Sequence, residues 1–147
     1  MPILSITKEY NLKTLIEDFL YNKNSAPLLE FLQKEKEYMG FLYITTEELL
    51  LNLKLNYLSK ESIITKNTSY KKFNDSIFEN TKKYFKRDNG FIHPYQIFLK
   101  FKNIDIFKSE FIEKKLEELL YAEYNIKSGT LDDEIAVESL ILNFFTD

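Results

Sequence analysis

Residues 45–58, TTEELLLNLKLNYL, constrain the fold more than any other stretch of the chain. On a helix that turns about 100° per residue, Leu49, Leu50, Leu51, Leu53, Leu55 and Leu58 point in almost every direction. A helix that is apolar all round belongs inside a protein. Thr45 and Glu48 stand at its start with the spacing of a capping box, in which two side chains satisfy amide donors that the first turn leaves free. The stretch therefore predicts a buried, leucine-rich central helix opening at Thr45, with other helices packed around it.

The flanking chain supplies those helices. After Asn11, the residues Leu12, Leu15, Ile16, Phe19 and Leu20 fall on one helical stripe. Ser25 is placed as an N-cap, with Pro27 in the first turn and Leu28, Leu29, Phe31 and Leu32 facing inward; Gly40 is the expected stop. In residues 69–87, Tyr70, Phe73, Ile77, Phe78, Tyr84 and Phe85 share one arc, opposite Lys71, Lys72, Lys82, Lys83, Lys86 and Arg87. Asp88-Asn89-Gly90 ends that helix by turn chemistry, and His93-Pro94 starts another to about Lys102. Ser109 caps a helix over residues 110–124, with Phe111, Ile112, Leu116, Leu119 and Leu120 inward. Thr130 and Asp133 open a last helix to about Phe145, apolar on most sides and so expected to be largely buried. Residues 2–10, 41–44 and 103–108 are short apolar runs that read as strands or loops. The expectation is an all-α protein, a single domain over residues 1–147 with about seven helices, a length suited to one core.

The same residues restrict the chemistry. There is no cysteine, which excludes disulfides and thiolate metal sites and suits a reducing compartment. The three glycines, Gly40, Gly90 and Gly129, are isolated, so no phosphate-cradling loop is formed. A single histidine, His93, cannot build a multi-histidine site, and beside Pro94 it reads as a helix-start residue. Asp132, Asp133 and Glu134 are consecutive; on a helix they diverge by about 100° each, and carboxylates in a first turn complement the helix dipole. No leader-like apolar run stands at the N-terminus and no uncharged run reaches the roughly 18 residues that span a membrane. These observations predict a cytoplasmic binding protein, not an enzyme, with no cofactor, no metal and no membrane partner.

Charge is distributed unevenly. Residues 60–87 carry 8 basic and 3 acidic side chains, whereas residues 110–147 carry 3 basic and 10 acidic ones, within a chain of net charge −3. The basic stretch interleaves lysine with aromatics, as nucleic-acid binders do, but its helical period sends the aromatics to the core and the lysines to the opposite face, and stacking on bases needs exposed aromatics. The acidic stretch presents Glu110, Glu113, Glu117 and Glu118 with Tyr121 among them, a ridge fit to dock a basic protein partner.

A short, acidic, cysteine-free chain without a catalytic motif, carrying the ridge Glu110, Glu113, Glu117, Glu118 and Tyr121, is similar in profile to the bacterial immunity proteins that neutralise nuclease toxins, including those of contact-dependent growth inhibition systems. The resemblance implies an inhibitor that blocks a basic nuclease toxin domain by imitating phosphates, with the ridge as its binding surface. The other reading is a helical nucleic-acid-associated regulator that uses the basic helix of residues 69–87.

Overall fold

Three long helices open the chain: α1 (Ile3–Asn22), α2 (Ala26–Glu35) and α3 (Tyr38–Lys60). The structure, a computed structural model, describes residues 3–65, 67–87, 90–102 and 104–146, the side chains of residues 3–10, 87 and 91 excepted. The run expected to be extended or irregular before Asn11 is helical from Ile3 onward, and Pro2 lies outside the described residues.

The end of α2 differs from its expected place because a residue other than glycine makes the turn. Lys36 closes α2 in the left-handed conformation, φ 59°, and its N–H donates to the Leu32 carbonyl at 2.8 Å. Lys23 after α1 and Ser62 after α3 take the same conformation. Gly40, the expected stop, lies inside α3. There a Cβ would stand 3.2 Å from Leu12 Cδ2, so the glycine lets α1 and α3 approach closely. Residues 41–44 are therefore helical, and Thr45 and Glu48 are buried in mid-helix, where they form no capping box. The leucines behind them are only partly enclosed. Leu49, Leu51, Leu55 and Leu58 are buried, Leu53 is half-buried and Leu50 is 39% exposed.

Ser69 caps the next helical stretch, its hydroxyl accepting from the Lys72 amide at 3.1 Å. That stretch is continuous over residues 70–85 but changes pitch. It passes through α4 (Tyr70–Lys72), a π-helical segment (Phe73–Ile77), α5 (Phe78–Thr81) and a 3-10 turn (Lys82–Phe85). It stops two residues before the expected end, because β1 (Lys86–Arg87) pairs antiparallel with β2 (Gly90–Phe91), Lys86 opposite Phe91 and Arg87 opposite Gly90. Asp88 and Asn89 of the expected turn lie outside the described residues. α6 (Pro94–Phe101), a 3-10 turn (Ile104–Ile106), α7 (Ser109–Lys127) and α8 (Asp133–Leu142) complete the chain. The protein is all-α: with residues 70–85 taken as one stretch there are seven helices among the described residues, and the two-residue ladder is its sole strand pairing there. No helix among them is long and apolar enough to cross a membrane.

The chain resolves into two compact units, Met1–Glu48 with Lys114–Asp147, and Leu49–Glu113. In the first, α2 packs on α1 and α8. Phe19 is at the heart of its core, with ring centroids 6.5 Å from Phe41, 5.2 Å from Phe144 and 5.4 Å from Phe145. In the second, Leu51, Leu55 and Leu58 share a core with Phe73, Phe85, Ile97 and Phe101. Phe73 packs there at 6.1 Å from Phe78 and 6.0 Å from Phe98.

Candidate functional site

In the first unit, α7 and α8 meet at a tight corner. Gly129 takes φ +79°, and the amides of Thr130 and Leu131 both donate to the Asn125 carbonyl, at 2.9 and 3.0 Å. The cap of α8 is Asp132, whose carboxylate accepts from the Ile135 amide at 3.0 Å, so the box expected at Thr130 is not formed. Asp133 accepts from the Glu134 amide at 2.7 Å and Glu134 lies 3.9 Å from Lys36. The three consecutive acids thus serve the helix start and its surroundings. His93 likewise caps α6, its Nδ1 accepting from the Tyr95 amide at 3.1 Å.

The inward stripe of α7 is Ile112, Lys115, Leu119 and Ala122, spaced three and four apart. This rotates the helix relative to the expected one, which put Leu120 inside. Lys115 is buried in its place, its Nζ 2.9 Å from Glu118 and 4.9 Å from the centroid of the Phe144 ring. The positive head lies over an aromatic face and against a carboxylate, which offsets its removal from water. Leu120, expected inside, is 67% exposed; Tyr121, expected on the outer side, is 68% exposed and Tyr124 70%. On α8, Val137 and Ile141 are buried while Ile135 is 70% and Leu142 64% exposed, so the last helix is not largely buried as its composition suggests. A groove of about 350 Å³ separates the two helices, lined by Tyr121 and Ala122 on one side and Leu131, Ile135, Ser139 and Asn143 on the other.

The expected acidic ridge is divided between the two units. Tyr121, Glu118 and Glu117 belong to the first unit; Tyr121 and Glu118 line the groove, with Glu118 tied to Lys115, and Glu117 is exposed. Glu110 and Glu113 belong to the second unit; both are exposed, and Glu113 lines a different groove there. Sequence reasoning missed Leu120, Tyr124, Ile135 and Leu142. The available signal was an excess of apolar residues over what one buried stripe holds, in the run Leu119-Leu120-Tyr121 above all.

On the second unit, Lys71, Lys72, Lys83 and Lys86 are exposed and Lys82 pairs with Glu79 at 3.2 Å. The aromatics do not all lie on the opposite face, as the helical period requires. The π-helical segment and the 3-10 turn alter the angular step, and Tyr84 comes out 37% exposed with Lys83 Nζ 5.2 Å from its ring centroid.

A family model described as DNA polymerase III delta subunit, C-terminal domain, matches residues 21–144. Neither the comparison with curated proteins nor the comparison with solved structures gives a match. The family match overturns the likeness to immunity proteins, and with it the toxin-inhibitor function and the nuclease toxin partner; it agrees better with the nucleic-acid-associated reading. The physical reason for the misreading is that net charge averages over unlike surfaces. The first unit carries 8 basic and 16 acidic residues, net −8, and the second 12 basic and 7 acidic, net +5, so an acidic profile describes only one of them.

Proposed function

The chain belongs to the family formed by the C-terminal domain of the DNA polymerase III delta subunit, and from that premise we propose that it is a non-enzymatic helical module of a DNA-replication clamp loader, docking on the other proteins of that assembly. It works in the cytoplasm, where such a replication assembly meets DNA. The observation that carries the reading is the outward face of α7 and α8, where Leu120, Tyr121, Tyr124 and Ile135 are each about two-thirds or more exposed. Contiguous exposed apolar side chains mark interaction surfaces. Tyrosine is a favoured anchor there, because it covers a large area with few torsions to freeze. Covering one such leucine or isoleucine is worth about 1.5–3 kcal/mol. Glu117 stands one turn before Leu120 and Tyr121 and forms a charged rim to the patch. The residues that would suggest chemistry are occupied otherwise, since His93 and Asp132 each hold a backbone amide.

The test is co-purification and titration calorimetry of the full chain with the other clamp-loader proteins from the same source. Leu120→Ser with Tyr121→Ala should weaken the complex by at least tenfold, about 1.4 kcal/mol, while the helical spectrum and melting temperature stay close to those of the parent, because both side chains are exposed. Unchanged affinity in that double variant would remove this face from the assembly. Glu117→Lys should act mainly on the association rate and its salt dependence, as rim charges do.

A further inference from the structure

We propose that the second unit binds single-stranded nucleic acid in the groove between α3, Tyr84 and the start of α7, stacking bases on Tyr57 and Tyr84 and holding phosphates with Lys54, Lys60 and Lys83. The proposal goes beyond docking within the clamp loader and concerns a different unit. The groove has a volume of about 390 Å³, within the range of ligand-binding clefts. Tyr57 is 54% and Tyr84 37% exposed, and both line it together with Lys54 and Lys60. Lys54, Tyr57 and Lys60 are spaced three apart on α3, which strings them along one side of the helix. Lys60 Nζ donates to the Ser109 hydroxyl at 3.1 Å, which leaves its remaining donors for an anion. Lys83 lies beside the Tyr84 ring, so a charge and a stacking surface are presented together.

This pairing is what sequence-tolerant binding of single strands requires: a positive groove that follows the backbone and aromatic faces on which unpaired bases stack. A duplex hides its base faces, so it would gain from the lysines but not from the tyrosines. The unit as a whole is net +5, which adds long-range attraction for a polyanion despite the acidic whole chain. One wall works against the ligand: the Glu113 carboxylate lines the groove and repels phosphate.

The measurement is fluorescence anisotropy of labelled dT15, rU15 and a 15-base-pair duplex with the full chain at several salt concentrations. We expect dT15 or rU15 to bind more tightly than the duplex. Tyr57→Ala with Tyr84→Ala should weaken the single strand about tenfold or more and leave the duplex unchanged. Replacing Lys54, Lys60 and Lys83 by Gln should lower the slope of log affinity against log salt by about 0.7 for each phosphate that is no longer neutralised. Glu113→Gln should tighten binding, a gain that an unfolded variant could not produce. Preference for dT15 assigns the site to DNA and preference for rU15 to RNA, and either supports the groove. No binding of either single strand at low salt overturns the proposal. Binding that the tyrosine double variant leaves intact, or that favours the duplex, overturns it as well.

Discussion

Tyr38 is 2% exposed, and its hydroxyl has no hydrogen-bond partner among the described residues. Burial raises its ionisation above the ordinary value of 10, and the nearby acids Glu134, Glu138, Asp133 and Asp132 raise it further. A phenol whose folded pKa is raised keeps its contribution to stability below pH 10 and loses it as pH climbs through the folded value, since the unfolded chain gives up the proton first. Tyr38→Phe should therefore flatten the loss of stability above pH 10, as read by urea denaturation across pH 8–11.5. At neutral pH the same change should be neutral or stabilising by about 1 kcal/mol, because it deletes a buried polar group without orphaning another. A clear loss at pH 7 would mean that the hydroxyl has a partner. Thr45 has a similar character: buried in mid-helix, with a hydroxyl that meets no partner among the described residues.

The helix ends show how a well-patterned sequence can divide at unexpected places. Gly40 carries the stop signal, yet α2 ends at Glu35 through Lys36 at φ 59°, and α3 then runs through Gly40 without a break. A side chain in the left-handed region costs roughly 1–2 kcal/mol relative to glycine. Lys36→Gly should therefore raise stability by about 1 kcal/mol, with unchanged helical content in the far-ultraviolet spectrum. The loss of the 3.9 Å pair with Glu134 subtracts little, since both groups are well exposed. Destabilisation on that substitution would show that the lysine side chain holds α2 in place. The same logic applies to residues 70–85, where neither the π-helical segment nor the 3-10 turn is announced by a proline or a glycine.

The molecule has a core in each of its two units, so the central leucine helix serves as a source of core residues for both. Phe41 and Leu42 lie in the first unit and Leu51, Leu55 and Leu58 in the second. Leu28→Ala in one core and Leu55→Ala in the other should each cost about 2–5 kcal/mol, since both side chains are fully enclosed. Leu50→Ala, 39% exposed, should cost less than about 1 kcal/mol. Chemical denaturation of the three variants checks this. A large loss at Leu50 with small losses at Leu28 and Leu55 would reverse the assignment of faces.

Helix content, helix number and most inward residues were legible from the sequence, because the period of apolar side chains is a local property that burial of one face enforces. The stripes Leu12, Ile16 and Phe19, then Leu28 and Leu32, lie where that period puts them. What the tertiary structure decided was rotation and termination. Lys115 is buried with Glu118 and Phe144 against its charged head, and Leu120 is turned outward; no local pattern on α7 encodes the position of Phe144. The two grooves exist only once separate elements are folded together, α7 against the helix that follows it in one case and α3 beside the more distant Tyr84 in the other. Charge was legible as an asymmetry along the chain but not as two units of opposite sign, because Met1–Glu48 and Lys114–Asp147 join across 65 intervening residues. The partner lay furthest from the sequence pattern, because affinity depends on which side chains the packed core leaves at the surface.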